Sequence, residues 1–208
     1  MPDALQLEAS RALDAELHDT NRLADFPSLT AEQERRLAWM LNNYFDSVWR
    51  AGRRMGLQSG QAQENAQEAF ALAARKLGDI EPGRERTFLL GVAVRLAANA
   101  RRKNSARLDE LASDASEHDA LDTTPRADDL LAQKQQRSLL DRILRSMSHV
   151  LREVLTLYEI EELNLPEIAE VLGIPEGTAA SRLRRAREEF SRKLGSLAPR
   201  ATRSKESA

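Results

Sequence analysis

Between Leu165 and Arg187 the chain reads LPEIAEVLGIPEGTAASRLRRAR, two short helical patterns parted by Gly-Ile-Pro, and few packings accommodate such a break. Asn164 stands where a helix cap is needed, and Pro166 falls in the first turn, where its missing N–H removes nothing the helix would use. Ile168, Ala169, Leu172, Gly173 and Ile174 supply apolar contacts, a small residue where two helices touch, and a glycine for the turn. On the second helix Ala179, Leu183, Ala186 and Phe190 recur at i, i+4, i+7 and i+11 and therefore face inward. Half a revolution away lie Ser181, Arg184, Arg185 and Glu188, with Arg182 and Arg187 on the flanks and Thr178 near the start. The spacing predicts a helix-turn-helix whose second helix lies in the major groove, where Arg bonds guanine bidentately and flanking arginines hold phosphates. Thr178, Ser181, Arg182, Arg184, Arg185 and Arg187 are thus the candidate duplex-binding residues. A basic helix alone is better explained as a solvated face paired with Glu188 and Glu189; the capped helix and glycine turn before it decide for DNA.

The rest of the chain reads as helix too, because no run alternates apolar and polar residues over a strand's length. Residues 1–29 are acidic and weakly patterned, an N-terminal extension. At Thr30 a Thr-Ala-Glu-Gln capping box opens a helix with Leu37, Met40, Leu41, Tyr44, Phe45 and Val48 on one stripe, ending near Gly56. A second helix, about Gln61 to Leu77, buries Ala66, Ala69, Phe70, Ala73 and Leu77 and turns Glu64, Gln67 and Glu68 outward. After the turn-rich GDIEPGRER, a third runs from about Thr87 to Lys103, with Val92, Ala93, Leu96, Ala97 and Ala100 inside. Phe88, Arg95, Asn99 and Arg102 recur on it at i, i+7, i+11 and i+14, an aromatic, an amide and two cations on one face, which suits an unpaired nucleic-acid strand. Residues 30–104 form a first helical unit. Residues 105–129 lose the stripe, gain acid and include Pro125, and read as an acidic flexible linker. Residues 130–195 form a second all-helical unit, with segments at 130–147, 150–161, 165–172 and 176–194, and residues 196–208 a polar, disordered tail. The expected fold class is all-α, in two helical domains.

The net charge of −2 argues against a nucleic-acid partner until its distribution is examined. Positive charge collects between Arg84 and Arg107 and between Arg182 and Lys193, and acid collects in the first 34 residues and from Asp109 to Asp129. The absence of cysteine excludes disulfides, thiolate nucleophiles and sulfur-ligated zinc. His18, His118 and His149 are scattered and lack ligand spacing, and there is no glycine-rich phosphate loop or serine elbow. No catalytic residue, metal or cofactor is expected, and the chain is not read as an enzyme. It contains neither a bilayer-spanning apolar stretch nor a signal-peptide pattern, which points to the cytoplasm and to no membrane insertion.

LNLPEIAEVLGIPEGTAASRLRRAR resembles the promoter-binding helix-turn-helix of the extracytoplasmic-function sigma factors, a group within the sigma-70 family of bacterial RNA polymerase. ENAQEAFALAARKL followed by RTFLLGVAVRLAANARRK is similar to that family's polymerase-binding and promoter-melting helices. The two blocks stand in the family's order and span roughly residues 30–194. The resemblance implies a sigma factor that binds core RNA polymerase and directs promoter-specific initiation, with the C-terminal helix-turn-helix on the upstream (minus-35) element. It implies that Glu64, Gln67 and Glu68 dock on the polymerase, that Phe88, Arg95, Asn99 and Arg102 act in melting the minus-10 element, and that an anti-sigma factor is a partner. Phe88 stands where the family usually has tryptophan, Arg95 where many members have asparagine, and Ala180 where a basic residue is common. Base preference is therefore not carried over. The alternative is a stand-alone helix-turn-helix regulator that binds duplex DNA as a dimer, without polymerase.

Overall fold

The structure, a computed structural model, describes the backbone of residues 28–110 and 128–197, and side chains at 28–103 and 136–196. Most of the N-terminal extension, the linker between 111 and 127, His18, His118 and most of the tail lie outside the described residues. Those residues form seven α-helices and one π-helical turn, with no strand among them. The helices are α1 (Ala31–Arg54), α2 (Ser59–Arg75), α3 (Glu85–Glu110), α4 (Asp128–Ser146), α5 (His149–Leu155), α6 (Leu165–Leu172) and α7 (Glu176–Leu197); the π turn, Thr156–Ile160, continues α5. The fold is all-helical, as the periodicity implied. None of the described helices is long and apolar enough to cross a membrane.

At the start of α1 the Thr30 hydroxyl accepts from the Gln33 N–H at 3.3 Å, and the Gln33 side chain accepts from the Thr30 N–H at 2.9 Å. Two helix-end donors are thereby satisfied by a local sequence signal. Met40 and Val48 of the expected stripe are fully buried and Leu37, Tyr44 and Phe45 partly so. Leu41 is 39 % exposed, because the helices packed on α1 cover a narrower arc than the stripe. At the other end Gly56 reverses the chain at φ +99°, a conformation that L side chains rarely adopt. Within α1, Gly52 brings α2 close: a Cβ there would stand 3.4 Å from that of Ala62.

α3 is central, with Leu89, Leu90, Val92, Ala93, Val94, Leu96 and Ala97 all buried. Its sides feed two cores. Val92, Ala93 and Leu96 pack with Met40, Val48, Phe70 and Leu77 inside the first unit. Leu90, Val94 and Ala97 join Ala51, Met55 and Leu57 to Ile143, Leu144, Leu157, Ile168, Leu183 and Ala186, so the second core runs through both units. Each of the valine, leucine, isoleucine, methionine and phenylalanine side chains removed from water there contributes about 1.5–3 kcal/mol.

α3 starts two residues before the expected Thr87 and extends to Glu110, past the expected end at Lys103. The segment read as one helix from Val150 to Glu161 is α up to Leu155 and then widens, the Glu161 N–H reaching back five residues to the Thr156 carbonyl at 3.0 Å. A π turn of this kind inserts a residue into the helical ladder and re-aims the next side chain, here that of Glu161.

Candidate nucleic-acid interface

α6 and α7 form the expected helix-turn-helix. The Asn164 side chain accepts from the Glu167 N–H, and the Glu167 carboxylate from the Asn164 N–H, both at 2.9 Å. Gly173 ends α6 in the left-handed region at φ 62°, and Pro175 leads into α7. Ala179, Leu183 and Ala186 are buried and Phe190 packs against the same core. Burial of that side forces the opposite one outward. Ser181, Arg184 and Arg185 are exposed, with Thr178 and Arg182 half-buried beside them. Arg184 pairs with Glu188 at 2.8 Å, but both side chains are more than three-fifths exposed, so water or phosphate readily replaces the partner. Arg187, about half exposed, is also paired: its Nε donates to Glu159 at 2.7 Å and its guanidinium lies 4.9 Å from the Tyr158 ring centroid. The bond to Glu159 holds its pKa above the ordinary guanidinium value.

The loop before α3 is built by Arg36 of α1. Its guanidinium donates to the carbonyls of Leu77 at 3.1 Å and Ile80 at 2.6 Å, and to Glu85 at 2.8 Å. Burial works to raise the Glu85 carboxyl, but hydrogen bonds from its own backbone N–H, from Arg36 and from the Gly83 N–H outweigh it and hold the group below the ordinary value. This clamp shapes a cavity of about 450 Å³ lined by Asp79, Ile80, Glu81, Arg84, Thr87, Phe88 and Glu170.

Of the residues expected on one strand-binding face, Phe88 lines that cavity while packing on the first unit's core. Arg95 is half-buried beside Gly91, where an added Cβ would meet its Nη1 at 3.3 Å and Val171 of α6 at 3.7 Å. Farther along, Arg102 donates to Asn99. The structure thus brings Asn99 and Arg102 together, and sets Phe88 apart under the helix-turn-helix unit. On α2, Glu64 and Gln67 are exposed and Glu68 is half-buried, opposite the buried Ala66, Ala69, Phe70 and Ala73. Burial pushes the Glu68 carboxyl up, against the pull of Lys103 and Arg75.

Sequence reasoning missed a set of polar contacts between the units. Arg84 pairs with Glu170, and its pKa is raised chiefly by that bond. Arg86 donates to Glu161, to the carboxylate at 2.9 Å and to the carbonyl, and the Thr87 hydroxyl donates to Glu167 at 3.2 Å. Glu161, only 2 % exposed, also accepts from Ser47 at 2.6 Å and Arg54 at 3.3 Å. Burial lowers the Arg54 pKa, partly offset by the charge of Glu161. A second contact sets Arg101 against the Met55 carbonyl at 3.2 Å and against Glu153, with the buried guanidinium of Arg152 beneath Gly56. The one signal in the sequence was the acid-rich run from Glu159 to Glu170, directly before and within the helix-turn-helix.

Residues 137–190 match the family described as Sigma-70, region 4. The chain is 32 % identical over 146 residues to the ECF RNA polymerase sigma-E factor of Escherichia coli, an alignment covering 67 % of this chain and 76 % of the relative. It is 33 % identical over 145 residues to the RNA polymerase sigma-H factor of Pseudomonas aeruginosa, covering 66 % and 75 %. Among solved structures, its fold is similar to the sigma factor RpoE in complex with the anti-sigma factor NepR from Bartonella quintana, at a TM-score of 0.65 and 18 % identity, covering 77 % of this chain and 98 % of that one. A second likeness is to CnrH in complex with the cytosolic domain of CnrY, at 0.56 and 22 %, covering 91 % and 99 %.

Proposed function

The chain belongs to the extracytoplasmic-function sigma factors of the sigma-70 family, DNA-binding proteins of transcription initiation, and on that premise we propose how its residues divide the work. α7 reads the upstream promoter element through Arg184 and Arg185, with Thr178, Ser181, Arg182 and Arg187 fixing the helix on the phosphates. The α3 face and the loop before it hold the strand that opens, Phe88 offering a stacking surface and Arg95, Asn99 and Arg102 cations and an amide. Holding an unpaired strand shifts the duplex toward opening without bond chemistry, so the protein acts as a binding partner of a catalyst. Glu64, Gln67 and Glu68 dock the chain on core RNA polymerase, and an anti-sigma factor is a partner, as NepR is of RpoE in their complex.

The observation that carries this reading is the pairing of exposed Arg184 and Arg185 with a fully buried opposite face on a helix following a left-handed glycine turn. Two binding units fixed on one polymerase act at a high effective concentration, whereas either alone holds DNA weakly. The test is binding of a promoter duplex by the protein alone and with core polymerase. Tight binding only with polymerase, lost in Arg184→Ala/Arg185→Ala while the polymerase complex persists, supports the reading. Equally tight binding by the protein alone is the behaviour of a stand-alone regulator and refutes it.

A further inference from the structure

The segment 78–84 joins α2 to α3, with Gly78, Asp79, Glu81, Pro82 and Gly83 exposed and only Ile80 buried. Two glycines and so little burial leave such a loop many shapes. Its own backbone bonds act at its two ends: the Ile80 N–H donates to the Lys76 carbonyl at 3.2 Å, and the Arg84 N–H to that of Glu81 at 3.0 Å. The tie between the ends comes from Arg36 of α1. Its guanidinium makes four hydrogen bonds, one to the Leu77 carbonyl, one to the Ile80 carbonyl and two to the Glu85 carboxylate. The other oxygen of Glu85 accepts from the Gly83 N–H at 2.7 Å. With the two ionised side chains only 25 % and 7 % exposed, water competes weakly for these bonds. A planar fork keeps several acceptors at fixed separations, which the point charge of an ammonium does not. The loop so held is one wall of the cavity that Phe88 lines, through Asp79, Ile80, Glu81 and Arg84.

We propose that Arg36 is a positioning residue for strand capture: by holding the 78–84 loop in one shape it sets how readily the promoter opens, although it does not line the cavity itself. This rests on the assignment of α3 and the loop before it to the unpaired strand made above. A loop already in its receiving shape takes a strand without first being ordered. The apparent affinity for the strand falls with the fraction of molecules whose loop keeps that shape. Duplex reading by α7 and docking by α2 do not use the loop, so loosening it acts on opening alone.

The test follows permanganate reactivity of unpaired thymines in a promoter duplex with core polymerase and the full chain. Two further readouts run beside it: competition for core polymerase, and protection of the upstream element in the cold, where the duplex stays closed. Arg36→Met keeps the side chain's bulk and removes its donors, and should open the promoter roughly tenfold less at unchanged polymerase and upstream binding. Glu85→Gln keeps the shape and loses the charge, for a loss of roughly threefold, and it decides the matter should Arg36→Met not fold. Thr30→Ala deletes the cap of the same helix without touching the loop, and its opening should stay within about twofold of the unaltered chain. Gly78→Ala, where an added Cβ meets nothing within 4 Å, stiffens the loop and should recover roughly two- to fivefold of the opening lost in Arg36→Met, which a merely structural role does not predict. Undiminished opening in Arg36→Met and Glu85→Gln, an equal loss in Thr30→Ala, no recovery by Gly78→Ala, or a loss that tracks polymerase binding overturns the proposal. Phe88→Ala separates this failure from that of the reading beneath it. Opening that falls in Phe88→Ala but not in Arg36→Met removes the positioning role alone; no opening by the unaltered chain, or opening indifferent to Phe88→Ala, removes the strand-binding reading and the proposal with it.

Discussion

Replacing Glu161 by alanine should cost more than any other single change of a charged residue between the two units. Its carboxylate is the only described acceptor shared by three donors from the first unit, Ser47 at 2.6 Å, Arg86 at 2.9 Å and Arg54 at 3.3 Å, and its side chain is 3 % exposed. Removing one partner of a buried ion pair typically costs about 3–5 kcal/mol, mostly because the other charge stays buried. Here the arginine side chains are 19 % and 31 % exposed, so both can turn partly to water, and the expected loss falls to about 2–3 kcal/mol. Glu161→Gln keeps the shape and one acceptor and should lose about half as much. Urea unfolding followed by far-ultraviolet circular dichroism measures both variants, and Arg54→Leu in the Glu161→Ala background should recover part of the loss by removing the stranded charge. A loss below about 0.5 kcal/mol, or no recovery in the double variant, would refute the argument that this carboxylate is a buried tie between the units.

Three other outcomes rest on single contacts. Glu85, held below the ordinary carboxylate value of 4.5, contributes stability that is present above that pH and is lost as pH falls through its lower folded value. Acid unfolding of Glu85→Gln should accordingly begin from a lower plateau and lose less between neutral pH and about pH 3. Because the sequence has no cysteine, Gly91→Cys/Val171→Cys introduces the sole thiol pair, at a site where a Cβ on residue 91 lies 3.7 Å from the Val171 side chain. Oxidation should tie α6 to α3 and raise stability in urea, and reductant should reverse the gain, as read by far-ultraviolet circular dichroism. Asn164→Ala deletes the α6 cap and should lower stability in urea by about 1 kcal/mol.

What could be read from the sequence was what short-range physics determines. Thr30 with Gln33 and Asn164 with Glu167 are caps three residues apart, and Gly173 marks a left-handed turn by its lack of a side chain. The buried arc of α7 followed from Ala179, Leu183 and Ala186, and the exposure of Arg184 and Arg185 followed from that arc. The packing of one unit on the other was not legible, since its ties join residues far apart: Ser47 to Glu161, Arg84 to Glu170, Arg101 to Glu153. Nor was the π turn, because Thr156 to Ile160 includes no proline or glycine to break the helical period. That one insertion decides where Glu161 points. The four residues placed on one α3 face by spacing do share a helix, but the neighbouring α6 determines which of them water can reach, and α6 enters from much later in the chain.

The most direct measurement is run-off transcription from a promoter library of the source genome, with core RNA polymerase and this protein as the only specificity factor. A sigma factor that reads duplex through α7 requires initiation from a small set of promoters sharing an upstream and a minus-10 element, lost on Arg184→Ala/Arg185→Ala although the protein still binds polymerase. Initiation no more selective than core polymerase alone would contradict it.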